Sequence, residues 1–171
     1  MKYHLLSNLL SNRAGAAAAE MALVAPMLLI LMFSATELGN YFWNEHTLLK
    51  AVRDGARFAA RQSFSNYTAC SGSPGGTVVS DTQNVVMYGY LSGTAVLTPN
   101  ISAANVTVTT SCAASAGGQT MSGLYKAQPN GAQIVTVSAT VNYRPVVGYL
   151  LGFSGVGTHL NATSQAAVTG I

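Results

Sequence analysis

The side chains able to do chemistry are few and dispersed. The histidines are His4, His46 and His159, and no H-x-x-H or C-x-x-C spacing gathers them or the two cysteines into a metal set. A hydrolytic triad needs a nucleophile, an activating base and an orienting partner. The C-terminal part offers one histidine, His159, and one aspartate, Asp81, in no such arrangement. The sequence therefore points away from an enzyme and calls for no cofactor. One acidic residue is oddly placed: Glu20, inside "RAGAAAAEMALVAPMLLILMF". An ionised side chain in hydrocarbon costs at least ~2.5 kcal/mol, so Glu20 is a candidate for a specific ionic role.

The elements that must carry this residue follow from composition. A chain of 171 residues holds one modest domain and an anchor. Charged residues make up 8% of it, against roughly 25% in soluble domains. Lys2 and Arg13 precede the apolar run, and Lys50, Arg53, Arg57 and Arg61 follow it among Glu45 and Asp54. None of this builds the phosphate-neutralising surface that nucleic-acid binding requires.

Residues 14–36 carry Glu20 as their single charge. As a helix they would reach about 34 Å, enough to cross a bilayer core of roughly 30 Å. Pro26 is tolerated better in a membrane helix than in a soluble one. A cleaved secretory signal is the rival reading, but the apolar region is too long and lacks an A-x-A site after it. The helical pattern continues through "ELGNYFWNEHTLLKAVRDGARFAARQ", with an apolar stripe at Leu38, Phe42, Leu49, Val52, Ala56 and Ala59. Ala51, Gly55 and Ala59 add a ridge of small residues where another backbone could approach. Tyr41, Phe42 and Trp43 fall just beyond the apolar run, where interfacial aromatics sit. Breakers in "SFSNYTACSGSPGG" end the helix near Gln62. The expected organisation is a helix over 16–62, spanning a membrane at about 16–36, a linker over 63–79, and a head over 80–171.

The head reads as small and β-rich. Ser80 and Gln83 stand in a capping-box arrangement, which predicts a short helix, with a strand over 85–90 as the competing assignment. "ANVTVTTSC" places Val106, Val108 and Cys112 on one face. "AQIVTVSATVNY" alternates more strongly, with Val135, Val137, Ala139, Val141 and Tyr143 on one side. "GTHLNATSQAAVTG" supplies a third strand, and "PNG" a turn before the second. The expected fold class is α+β: a long helix, then a short helix and a roughly three-stranded antiparallel sheet with one buried face. Cys70 and Cys112 both lie in the exported part. They pair, closing a loop worth ~4 kcal/mol, or they are two unrelated buried thiols.

Were the chain cut after Gly15, Ala16 would become its N-terminus and Glu20 its fifth residue. The new α-amine, with an ordinary pKa near 8, would be mostly cationic at neutral pH. Glu20 could then pair with the amine of a neighbouring, axially offset subunit and set the stagger between them. The alternatives are pairing with its own amine or complementing the helix dipole.

"RAGAAAAEMALVAPMLLILMFSATELGNYF" resembles the N-terminus of type IV-like pilins, and more narrowly the TadE-like pseudopilins of Flp/Tad (tight adherence) pili. "LLKAVRDGARFAARQ" is similar to that family's A-R-E-G-A-R stretch, and "IVTVSATVNYRPVVGYLLGFSGVGTHLNATSQAAV" to its C-terminal strand, apolar loop and final strand. Ala16 stands where many type IV pilins carry phenylalanine. The resemblance implies a pilin-like fold and a non-enzymatic minor pilin. A leader over 1–15 would be removed by prepilin peptidase between Gly15 and Ala16, with Glu20 serving peptidase recognition or subunit registration. The implied partners are that peptidase, other pilins, platform proteins of the inner membrane and lipid, with no nucleic acid. The implied place is the bacterial inner membrane, N-terminus cytoplasmic and head periplasmic, or the extracellular pilus. Leu150, Leu151 and Phe153 belong to an apolar connection that either fills the core or joins Ala51, Gly55 and Ala59 as a packing surface. Two rivals are a membrane-anchored periplasmic adhesin or binding module with no leader processing, and an ordinary secreted domain.

Overall fold

The computed structural model describes residues 13–113, 121–128, 130–150, 152 and 157–170. The chain forms two compact units, one ending at Gly39 and one beginning at Asn40. Helix α1 (Arg13–Ala60) contributes to both.

In the first unit the helix is apolar all round. An 18-residue window reaches a mean hydropathy of 2.1 and is nowhere buried. Ten large apolar side chains from Met21 to Leu38 are exposed, Leu23 at 76% among them. Burying one such side chain is worth roughly 1.5–3 kcal/mol. Removing the set from water is therefore worth on the order of 10 kcal/mol or more, as much as the whole stability of a typical domain. A helix of this kind, with its backbone bonds closed internally, could span a membrane. The Thr36 hydroxyl donates to Met32 O at 2.9 Å, so this polar group is satisfied within the helix.

In the second unit the face α1 buries is Leu48, Ala51, Val52, Gly55, Ala56, Ala59 and Ala60. This is wider than the narrow stripe read from the sequence: Phe42 and Leu38 are exposed, and Leu48 is fully buried while Leu49 is only half-buried. The cause is that two elements pack here. Helix α2 (Val78–Tyr88) lies against the Gly55 side. A Cβ on Gly55 would fall 2.5 Å from Val86 Cγ2, so glycine is what admits α2 at this distance. The sheet is the other element. Strands β1 (Val106–Ala113), β2 (Ala132–Asn142) and β3 (His159–Ala167) form an antiparallel sheet in the order β1-β2-β3. Register pairs Val108 with Val137, Ala139 with Ala162 and Val141 with Leu160, so one face is aliphatic and buried. Thr107, Thr109, Thr140, Asn161 and Thr163 point to the exposed face. The α+β architecture expected from the sequence is the one observed.

Local details depart from the expected ones. The capping box of Ser80 and Gln83 does not form, because burial of Val78 draws the helix start three residues earlier, with Thr77 rather than Ser80 at the N-cap. Ser80 Oγ donates instead to Thr77 O at 2.9 Å, and Thr77 Oγ1 to Asp81 Oδ2 at 2.6 Å. Gln83 Nε2 donates to Ala103 O (3.0 Å) and Val106 O (3.1 Å), tying α2 to the start of β1. Helix α1 ends at Ala60, short of Gln62, where its last carbonyls find partners outside the helix. The Tyr67 hydroxyl donates to Ala59 O, and Thr169 N donates to Ala60 O at 2.7 Å. In the turn before β2, Pro129 lies outside the described residues. Gly131 has φ 84° and leaves 2.4 Å between an added Cβ and Ala113 O, a place for glycine alone.

The stretch read as a linker is mostly exposed but sends one large side chain into the core. Tyr67 is 1% exposed. Gln133, itself buried on β2, donates from Nε2 to Tyr67 O at 2.6 Å. Burial pushes the Tyr67 phenol up from 10.0 to about 12. A pKa raised in the folded state gives stability that is complete below the unfolded value and lost as pH climbs through the folded one. Two units correspond to about 2–3 kcal/mol. Between pH 10 and about 12 the full chain in detergent should therefore lose that much more unfolding free energy than its Tyr67→Phe variant. Parallel losses in the two proteins would contradict this assignment.

Candidate functional site

The N-terminal positions singled out by the sequence lie on one helix. Gly15, Ala16 and Glu20 are all exposed in α1, and an added Cβ on Gly15 would meet nothing within 4 Å. Ala16 and Glu20 are four residues apart and so share a helix face one turn from each other. Residues 1–12, most of the expected leader, lie outside the described residues. The surface around Glu20 is Ala17, Ala18, Ala19 and Met21, all exposed and free of charge. Its carboxylate is thus presented on a smooth, small-residue stretch that a second helix could approach closely.

The ridge of Ala51, Gly55 and Ala59 is already occupied. All three are buried, and the element that approaches Gly55 is α2 of the same chain, through Val86 and Thr82. As a surface for another subunit it is therefore withdrawn: the close approach that small residues permit is spent inside the head. The apolar connection after β2 contains a five-residue helix, α3 (Val146–Leu150). It follows Pro145, whose carbonyl accepts from Tyr149 N at 3.3 Å. Val146 and Tyr149 are exposed and Val147 is half-buried. The Leu150 side chain, Leu151 and Phe153 lie outside the described residues.

Cys70 and Cys112 are joined in a disulfide. It fastens the loop after α1 to the end of β1, beside a backbone bond from Thr110 N to Gly72 O at 2.8 Å. The loop thus covers part of the β1 edge, which would otherwise offer unpaired backbone groups. His46 and His159 are exposed on α1 and at the start of β3, and Asp81 is engaged at the start of α2. Among the described residues no three His, Cys, Asp or Glu side chains gather where a metal ion could sit.

Sequence reasoning missed one feature of the head. A cleft of about 550 Å³ is lined by residues of α1, the segment after α2 and the connection after β2, among them Trp43, Leu97, Arg144 and Tyr149. The Arg144 guanidinium lies 4.7 Å from the centre of the Tyr149 ring. Nearby, Asn40 Nδ2 donates to the Tyr143 hydroxyl at 2.8 Å, and Tyr41 packs edge-on against Tyr143 at 5.2 Å. The sequence carried the aromatics and the arginine, but over 100 positions separate Trp43 from Arg144, and only the fold brings them together.

Comparison with known proteins bears on the helix. No curated protein and no solved structure matches the chain. The family model described as TadE-like protein matches residues 15–57, the segment that holds Gly15, Ala16, Glu20 and the apolar helix, and over that segment the chain is similar to this family.

Proposed function

We propose that the chain is a minor pilin that takes part in assembling Flp/Tad adhesive pili. One observation carries the reading: the TadE-like match begins at Gly15, the residue before the proposed cut, and covers the apolar helix with Glu20 on it. Its role is structural rather than enzymatic. Prepilin peptidase removes the leader between Gly15 and Ala16 on the cytoplasmic side. The mature helix then holds the protein in the inner membrane with the head in the periplasm, an orientation that suits the disulfide. Glu20, five residues from the cut on an exposed, small-residue stretch, serves the peptidase or fixes the stagger between subunits. Other pilins and the assembly platform are its protein partners, and lipid surrounds the helix until the subunit is extracted.

A strain lacking the chain tests this directly. Surface pili should disappear and return when the chain is supplied from a plasmid. Undiminished pili in the deletion strain would refute the assembly role.

A further inference from the structure

The exposed apolar side chains of the head are not scattered. Among the described residues, every large one except Leu124 lies in one of three segments, 42–43, 90–97 and 146–149. Each segment also contributes a wall to the cleft of Trp43, Leu97 and Tyr149. Trp43 is 75% exposed and Tyr149 62%. Patches of this kind mark a surface that meets something apolar. The cleft is not purely apolar: Arg144 enters it together with the amides of Asn40 and Asn44, and among the described residues no carboxylate lines it. The pattern is an aromatic rim around one cation, which suits an amphipathic partner with a negative group at the boundary of its apolar part.

Chain connectivity indicates what that partner is. Asn40 follows Thr36, the last residue of the apolar run, by four positions. Four residues span at most about 14 Å even when extended, so Asn40, which lines the cleft, is tethered within that distance of the end of the apolar run. The headgroup layer begins where the hydrocarbon stops and is about 5–7 Å deep on each side.

We propose that this cleft seats on the bilayer surface and takes the phosphate of an anionic phospholipid headgroup on Arg144, with Trp43 and Tyr149 in the interfacial layer. The stacking of Arg144 on Tyr149 holds the guanidinium in place while leaving N–H donors for phosphate oxygens. The inference rests on the membrane-spanning reading of the helix and not on the pilin role, so either can fail alone.

Trp43 is the chain's single tryptophan, and its fluorescence therefore reports on this cleft alone. The full chain is reconstituted in phosphatidylcholine vesicles with and without phosphatidylglycerol. Access of acrylamide from water and of bromine on the lipid acyl chains is then read at Trp43. The expected result is bromolipid quenching in both vesicles, with phosphatidylglycerol raising the ratio of acrylamide-protected to accessible Trp43 about fivefold. Arg144→Gln, at an exposed site outside the core, should abolish that increment while leaving disulfide formation unchanged. Equal protection in the two lipids, or an increment that survives Arg144→Gln, would overturn the proposal. The same increment from inorganic phosphate added to phosphatidylcholine vesicles would make this a free-anion site instead. Protection that grows with protein-to-lipid ratio would assign the cleft to a second copy of the chain. Either outcome would overturn the lipid assignment.

Discussion

Replacing Cys70 and Cys112 with serine should lower the unfolding free energy of the chain by about 4 kcal/mol. The bond spans 42 positions, and on the chain-entropy account opening a loop of that size returns this much freedom to the unfolded state. Domain stabilities lie at about 5–15 kcal/mol, so the loss would be a large fraction of the total. The structure shows where it would be felt. The bond clamps the loop after α1 against the end of β1, and the adjoining contact from Thr110 N to Gly72 O depends on that loop staying in place. Tyr67, on the same loop, plugs the core between Ala59 and Gln133. The check is equilibrium denaturation of the full chain in detergent, oxidised, reduced and as the double serine variant. The reduced and serine forms should unfold at similar, much lower denaturant concentrations. An unchanged midpoint would mean that the loop is held by packing alone.

This region also shows what the sequence could and could not say. Alternation from Val135 to Val141 identifies the central strand and its buried face because a strand's period of two is a local property. The apolar run and the small-residue ridge are equally local, and both appear where expected. What occupies the ridge is not local. Gly55 needs a close neighbour, but whether that neighbour is α2 or another subunit depends on how the chain returns to it. Tyr67 was concealed by company: one aromatic in a stretch of serine, glycine and asparagine looks like a linker, although its place three residues before Cys70 was a clue. Ser80 and Gln83 satisfy the spacing of a capping box, yet core burial of Val78 outweighs a cap worth about 1 kcal/mol. The cleft around Arg144 was illegible because its walls come from three separate segments. For Glu20 the reverse holds: the sequence states its chemistry plainly, and the fold adds that its surroundings are small and exposed.

Glu20→Leu should abolish piliation while leaving membrane insertion intact. The substitution removes a charge that costs at least ~2.5 kcal/mol in hydrocarbon, so the helix should enter the bilayer at least as readily as before. Lost is the carboxylate that, on the proposed account, answers the α-amine of a processed neighbour and fixes its axial position. Glu20→Asp keeps the charge on a side chain one methylene shorter and should retain part of the function. Membrane fractionation and counts of surface pili separate the two effects. Normal pili from the leucine variant would remove Glu20 from subunit registration.

The central claim is that this chain matures as a pilin does, and the mass of its N-terminal peptide tests that most directly. Membranes are compared from cells with and without the prepilin peptidase. A peptide beginning at Ala16, present only with the peptidase, is the predicted result. A chain that keeps its Met1 leader in both strains, or begins downstream of residue 30, would contradict the account.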